Sequence, residues 1–242
     1  MADFRTHIAG STLVGVGIGM AGHSYGIPLQ SCLLGGGLCS VAGILPDLDS
    51  DSGVPYRESV AFVSAFVPLL LISRFEALGW TRETIVLACA GVYLFIRFGV
   101  AEVFRRYTVH RGMWHSIPAA ASVGLLTFLI TDHRHLDLRL YWTVAAVAGF
   151  ITHLVFDELY SVDFRGVRLK KSFGTALKFW STRGVWPNIS TYAKLVVLTL
   201  LAWGDPVLMD YLDEHHPVPG AMERVHQQVE LQPEPGDDSV WR

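Results

Sequence analysis

Long apolar runs separated by short polar segments are the feature that most constrains this chain. Seven such runs occur, the last of them short: 8–22, 28–45, 59–73, 84–104, 117–131, 140–160 and 192–203. A helix of about 20 apolar residues crosses the hydrocarbon core of a bilayer, which is about 30 Å thick. Only 17% of the 242 residues are charged, whereas soluble domains carry about 25%. The pattern predicts an all-α protein, a polytopic membrane helix bundle of about six to seven helices.

The sequence predicts one membrane-embedded domain followed by a polar tail. The predicted domain covers residues 1–212 and includes a basic loop at 161–191. Residues 213–242 are rich in Pro, Glu and Asp, which is typical of disordered segments. The three cysteines lie inside apolar runs without CxxC spacing. Neither a disulfide framework nor a thiolate zinc site is therefore predicted.

The distribution of Lys and Arg predicts an orientation in the membrane. If the first six runs all cross the bilayer, the N-terminus and the ends of the second, fourth and sixth runs share one side. That side carries the basic loop 161–191, whereas the opposite loops hold only Arg74, Arg82, Arg134 and Arg139. Basic loops are cytoplasmic by the positive-inside rule. We therefore expect an integral protein of the plasma (inner) membrane, with this side facing the cytoplasm.

Histidine and aspartate residues accumulate at the ends of the apolar runs on that same predicted side. A random scatter of polar residues would be divided between the two membrane faces, and polar groups near a bilayer are costly unless they have a function. The shared face therefore predicts one functional site. Its candidate members are His7, Asp47, Asp49, His110, His115, His153 and Asp157.

The residue types in this group favour metal binding. His153 and Asp157 are four residues apart, so on a helix both side chains lie on one face. Imidazole nitrogens and carboxylate oxygens without thiolates suit zinc, with manganese or iron as alternatives. So many ligands fit more than one ion, and two ions about 3.5–4 Å apart suit phosphoester hydrolysis. The predicted catalytic residues are Arg111, which would hold a phosphate oxygen, and Asp49 or Asp47 as a general base.

Each of these residues, taken alone, also has a simpler explanation. Asp47 is an ordinary carboxylate at a membrane interface in one interpretation, and His7 an incidental surface imidazole. His115 or His153 alone would serve as an interhelical hydrogen-bonding group, as in many membrane bundles. The metal-site hypothesis depends on their common location at one face of the membrane.

Three motifs resemble those of the YdjM-like family. They are L-P-D-L-D at 45–49, H-R-G-x-x-H-S at 110–116 and H-x-x-x-D at 153–157, together with His7 near the start. The resemblance covers residues 1–160, and the second motif is its most specific part. Members of this family are membrane-bound metal-dependent hydrolases, some described as LexA-binding and inner-membrane-associated. The family is distantly similar to zinc-dependent phospholipase C and to P1-type nucleases, which are α-helical phosphodiesterases.

The resemblance implies a ranking of the ligands. Asp47, His115, His153 and Asp157 are the first candidates. His7 and His110 come next. The family often carries a histidine directly after the second aspartate, where this chain has Ser50.

The predicted function is that of a membrane-bound metal-dependent hydrolase of phosphoester bonds, for example in a lipid head group. We expect membrane lipid as a partner, and a soluble protein at the basic loop. No aromatic and basic pattern typical of nucleic-acid binding occurs. One alternative is a non-catalytic metal-binding scaffold or regulator. Another is a small transporter with an ion path that consists of Arg97, Glu102, His153 and Asp157. It is disfavoured because the site lies at the ends of the spans rather than at the midplane.

Overall fold

The computed structural model describes residues 3–49, 54–103, 112–131, 135–163, 168–169, 174, 176–182 and 184–215, with the backbone alone at 49, 54–55, 162–163 and 168–169. Within these residues the chain forms eight α-helices, so the predicted all-helical membrane bundle is confirmed. The helices are α1 (Phe4–Ser24), α2 (Leu29–Ala42), α3 (Val54–Ala77), α4 (Arg82–Val103), α5 (Ile117–Ile130), α6 (Leu136–Leu159), α7 (Val185–Trp203) and α8 (Pro206–His215).

Three shorter elements complete the description. A 3-10 turn, Leu45–Asp49, follows α2. The helix α4 includes a π-helical turn, Phe95–Val100. Val162–Asp163 pairs with Arg168–Leu169 as a two-residue antiparallel ladder, which is too small to change the fold class.

Four of the described helices are long and apolar enough to cross a membrane. The apolar helices α2 and α5 have 14 residues each. At about 1.5 Å per residue they are about 21 Å long, less than the thickness of the hydrocarbon core. The four long helices contain the segments Tyr56–Ala77, Arg82–Val103, Leu136–Leu159 and Val185–Trp203.

The last of these segments corrects one expectation. The apolar run at 192–203 is short, yet the helix α7 begins at Val185 and has 19 residues. Asn188 and Thr191 lower the hydropathy of its first half, but both side chains are buried within the bundle. Because these buried polar residues lower the hydropathy, the apolar run marks the beginning of this membrane-length helix too late in the sequence.

The helices α1, α2 and α6 pack closely together. A Cβ atom on Gly149 of α6 would lie 1.9 Å from the carbonyl oxygen of Cys39 on α2, so only glycine allows this approach. Farther along the same helices, the Tyr141 hydroxyl donates a hydrogen bond to the carbonyl of Ile18 on α1, at 3.2 Å. Tyr141 also lies against Gly35 of α2, and Phe156 lies against Gly10 of α1. The helix α6 is therefore parallel to α2 and antiparallel to α1. The start of α1 and the ends of α2 and α6 consequently lie at one end of the bundle.

The start of α1 is fixed by an N-cap. The Asp3 carboxylate accepts a hydrogen bond of 2.8 Å from the backbone N–H of Thr6 and a second from the Thr6 hydroxyl. Both bonds favour the ionised form and lower the pKa of Asp3. The helix therefore begins just before His7, and that imidazole lies in its first turn.

The described residues up to Ala202 belong to one compact unit, and those from Trp203 to His215 belong to a second. In the second unit, the Asp205 carboxylate accepts a hydrogen bond from the backbone N–H of Val207, at 3.2 Å, at the start of α8. Residues 216–242 of the predicted tail lie outside the described part of the chain. The predicted domain limits, 1–212 and 213–242, stay predictions.

Candidate metal centre

Five of the seven predicted ligands meet at one end of the bundle, and each is buried. Asp47 is the most exposed of them, with 7% of its surface accessible. The Asp49 side chain lies outside the described residues, as do the whole of His110 and Arg111. The five that meet are His7, Asp47, His115, His153 and Asp157.

The helix α6 supplies two of the five from its last two turns. His153 and Asp157 lie on one face, with His153 Nε2 3.8 Å from Asp157 Oδ2, as the four-residue spacing predicts. His7 comes from α1 and stacks on His153, with ring centroids 3.6 Å apart and an interplanar angle of 10°. The close packing of α1 against α6 therefore brings both imidazoles to the same carboxylate.

Asp157 lies at the centre of the group. Its Oδ1 is 3.4 Å from His7 Nε2, and its Oδ2 is 3.9 Å from His115 Nε2. The two oxygens of one carboxylate thus face different imidazoles. On the other side of the group, His153 Nε2 is 3.8 Å from Asp47 Oδ1.

The imidazole of His153 is held in one orientation. Its Nδ1 lies 2.7 Å from the carbonyl oxygen of Gly43, so Nδ1 carries the proton and donates this bond. Nε2 then has its lone pair directed at the cluster, and it is buried with no hydrogen-bond partner among the described residues. A backbone carbonyl that fixes the tautomer of a histidine in this way is typical of histidines that bind metal.

Three side chains from different parts of the chain fix the turn that carries Asp47. Besides the bond from His153, the Ser59 hydroxyl donates to the carbonyl of Ile44, at 3.0 Å. The Trp114 indole N–H donates to the carbonyl of Leu45, at 2.8 Å. A helix leaves its last carbonyls without intrahelical partners. The carbonyls of Gly43, Ile44 and Leu45 lie just past the end of α2, and their side-chain donors orient the turn and thereby place Asp47.

His115 lies in a turn directly before α5. Its backbone N–H donates to the carbonyl of Gly112, at 3.2 Å. The next residue, Ser116, is the N-cap of α5 and accepts a hydrogen bond from the N–H of Ala119, at 3.3 Å. The cap ends the turn and begins the helix, so the position of His115 is set from both sides.

These donors form two overlapping groups that could hold a metal ion, His7–His153–Asp157 and Asp47–His115–His153. Within each group the ligand atoms lie within 4.8 Å of one another. Two ligands about 2.1 Å from a tetrahedral ion are roughly 3.4 Å apart. The distances of 3.4–3.9 Å between imidazole and carboxylate atoms are close to that value. The donor set and its spacing therefore fit a divalent cation.

The fold and this buried cluster define a class: a polytopic helical membrane protein with a His/Asp centre at one end of its bundle. A family model described as YdjM inner membrane protein matches residues 1–208. The chain belongs to the YdjM inner membrane protein family. No curated protein and no solved structure matches the chain at a significant level.

Sequence reasoning missed the residues that position the site. Trp114 lies inside the polar segment before α5, and its place directly before His115 was the one available signal. Ser59 has no signal in the sequence, because its partner is a backbone carbonyl of another segment. Gly43 also has no signal in the sequence. A Cβ atom there would lie 2.2 Å from Ser11 Cβ, so the close approach of α1 requires glycine.

Proposed function

We propose that this protein is a membrane-bound metal-dependent hydrolase of phosphoester bonds, with its active centre at the cytoplasmic face of the inner membrane. One observation carries the proposal. Three imidazoles and two carboxylates are buried together, and His153 Nε2 faces both carboxylates without a hydrogen bond among the described residues. Burying such groups costs several kcal/mol each unless they are compensated. A divalent cation would compensate the carboxylates and accept the lone pair of His153 Nε2.

The geometry supports more than one ion, with zinc as the first choice. His153 offers a single nitrogen to the cluster, since its other nitrogen is bound to Gly43. It can therefore serve only one of the two overlapping groups. Asp157 faces His7 with one oxygen and His115 with the other, so its carboxylate could act as a ligand beside either imidazole. Manganese and iron are alternatives with the same donor preferences.

Bound metal would supply Lewis acidity, which activates water near neutral pH and stabilises charge on phosphate. The residues of the chain have separate tasks. His7, His115, His153 and Asp157 hold the cation. Asp47 is the member that reaches the surface, and we assign it, or Asp49, the role of general base. Arg111 orients the phosphate through charge-assisted hydrogen bonds.

The substrate in this proposal is a lipid phosphoester. The site lies at one end of membrane-length helices, where head groups are located. The basic loop 161–191 attracts anionic lipid. By the positive-inside rule, the same loop supports a cytoplasmic location of the site.

The second candidate function is a metal-binding scaffold or regulator that docks a soluble protein at the basic loop. The same buried cluster supports metal binding in both cases. The two functions differ only in whether a bond is hydrolysed.

The deciding experiment uses the full chain purified in detergent. Bound metals are counted, and cleavage of phosphodiesters and of phospholipids is measured with and without chelator. We expect stoichiometric metal and chelator-sensitive cleavage. A preparation that binds no metal would contradict both functions, whereas a metal-loaded protein inactive on all substrates would leave only the scaffold.

A matched pair of histidine substitutions tests the site itself. His115→Ala should lower both metal content and cleavage, because His115 is buried beside Asp157. His23→Ala removes an exposed histidine near the opposite end of α1, and it should change neither. Equal metal content in the two variants would remove His115 from the ligand set.

A further inference from the structure

An apolar groove lies between α5 and α7. It has a volume of about 510 Å³, and its wall includes Leu126 from α5 and Val197 from α7. Leu126 is 47% exposed and Val197 is 55% exposed, so the groove opens on the outside of the bundle. Because α7 is long and apolar enough to cross a membrane, the groove faces the hydrocarbon of the bilayer.

Lys194 is the one cation among the described residues that line this groove. It is the middle residue of the 19-residue helix α7, it is exposed, and it makes no ion pair or hydrogen bond among the described residues. A lysine in the middle of a membrane helix costs about 2.5–3.5 kcal/mol, and such residues mark functional positions. An anionic group that enters the groove together with apolar chain would offset that cost.

The short helix α5 brings the polar interface toward Lys194. With 14 residues, α5 is about 21 Å long. A hydrophobic element shorter than the bilayer thins it locally, so head groups beside α5 lie deeper than elsewhere. The Lys194 side chain inclines toward the N-terminus of α7. That end is near the metal centre, because the backbone carbonyl of Lys178, shortly before α7, accepts a hydrogen bond from the N–H of Ile117, two residues after His115, at 3.1 Å.

Trp114 connects the groove to the metal centre. Its side chain lines the groove, its indole N–H donates to Leu45 in the Asp47 turn, and it directly precedes the candidate ligand His115. A molecule with its chain in the groove therefore has its head next to the buried His/Asp cluster.

We propose that the groove between α5 and α7 binds the acyl chain of an anionic phospholipid, and that Lys194 pairs with the phosphate of its head group. This inference deepens the proposed function, on which it rests for the chemistry, and it names the substrate class: a long-chain lipid rather than a soluble phosphoester. Charge complementarity and the apolar wall select the anionic lipid. The groove is thus a binding site separate from the residues that hold metal.

The test measures binding in the absence of turnover. Full-length protein in detergent, with chelator present, is titrated with dioleoyl phosphatidylglycerol or dioleoyl phosphatidylcholine, and bound lipid is counted by native mass spectrometry. We expect tighter binding of the anionic lipid. Lys194→Met should reduce that preference about fivefold, the effect of roughly one lysine near anionic lipid, whereas Lys194→Arg should retain it.

Two neighbouring valines provide the control for the groove. Val196 and Val197 are each 55% exposed on α7, but only Val197 lines the groove. Val197→Trp should fill the groove and weaken binding of both lipids, whereas Val196→Trp should bind as the unchanged protein does. Thermal unfolding of both variants confirms that they fold.

The outcomes separate this inference from the proposed function. Equal lipid binding by the two tryptophan variants, or an unchanged lipid preference in Lys194→Met, would overturn the groove site even if hydrolysis is observed. Lipid binding as expected, in a protein that cleaves nothing, would support the groove and contradict the hydrolase.

Discussion

The helices α4 and α6 are both long enough to cross a membrane, yet they have different positions in the bundle. The mean hydropathy of α4 is 2.0 and that of α6 is 1.4. In their most apolar windows, 11% of α4 is buried inside the protein, against 44% of α6. The less apolar helix is thus the central one, and it supplies His153 and Asp157.

The difference shows that hydropathy and burial describe separate properties of a membrane helix. A helix that contacts lipid must be apolar around most of its circumference, because hydrocarbon offers no hydrogen bonds. A helix surrounded by protein can carry polar groups on the faces that its neighbours satisfy. In this chain the polar residues of α6 mark where the site is, and the high hydropathy of α4 marks lipid contact.

The largest difference is expected in zinc affinity, when one ionisable residue is removed from α6 and, in a separate variant, one from α4. His153→Ala should weaken zinc binding by at least about 100-fold, because even residues that only support a metal ligand contribute about 10–100-fold. Arg97→Ala in α4 should leave the affinity unchanged. Zinc affinity of detergent-purified protein, measured by competition with a chelator, checks both. A similar loss in the two variants would break the assignment of the site to α6.

A smaller effect is expected when a glycine is enlarged in each helix. Gly149→Ala places a methyl group against the Cys39 carbonyl and should lower the free energy of unfolding by about 1–3 kcal/mol, as overpacking does. Gly91→Ala in α4 meets no atom within 4 Å and should be neutral or slightly stabilising, because alanine favours helix. Denaturation in mixed micelles measures both. Equal destabilisation by the two substitutions would mean that α4 also packs closely against protein at Gly91.

The smallest effect is expected from two buried serines on α3, the helix before α4. The Ser59 hydroxyl donates to Ile44 in the turn that carries Asp47, whereas the Ser64 hydroxyl donates to Val60 within its own helix, at 2.6 Å. Ser59→Ala should cost about 1 kcal/mol of stability and weaken zinc binding. Ser64→Ala should leave zinc binding unchanged. If both variants bind zinc as the unchanged protein does, Ser59 does not position the site.

The membrane class and the meeting of five site residues were accessible from the sequence for a physical reason. When consecutive helices alternate in direction, the ends of every second helix lie at the same face of the membrane. Counting the apolar runs therefore predicts which polar residues can meet. This count placed His7, Asp47 and His153 together without any knowledge of side-chain packing. The count requires that consecutive helices alternate in direction. Four of the described helices are long and apolar enough to cross a membrane, and crossing by all of the first six runs stays a prediction.

The remaining features depend on contacts between distant segments, which one sequence does not encode in a readable pattern. The close approach of Gly149 to Cys39 depends on how two helices cross. The start of α7 was missed because the side chains of Asn188 and Thr191 face inward, and hydropathy averages over all faces of a helix. The hydrogen bond from Ser59 to Ile44 uses a backbone acceptor, which leaves no trace in residue identity.

The turn between α2 and α3 has a consequence for how this protein tolerates mutation. Its three anchoring acceptors are backbone carbonyls, at Gly43, Ile44 and Leu45, and every residue type possesses one. Substitution at 44 or 45 therefore leaves the anchoring acceptors in place, whereas their donors, His153, Ser59 and Trp114, cannot be replaced so freely. The residue types that hold the Asp47 turn in shape thus lie in three other segments of the chain. Mutational scanning should find sensitive positions at His153, Ser59 and Trp114 rather than at 44 and 45.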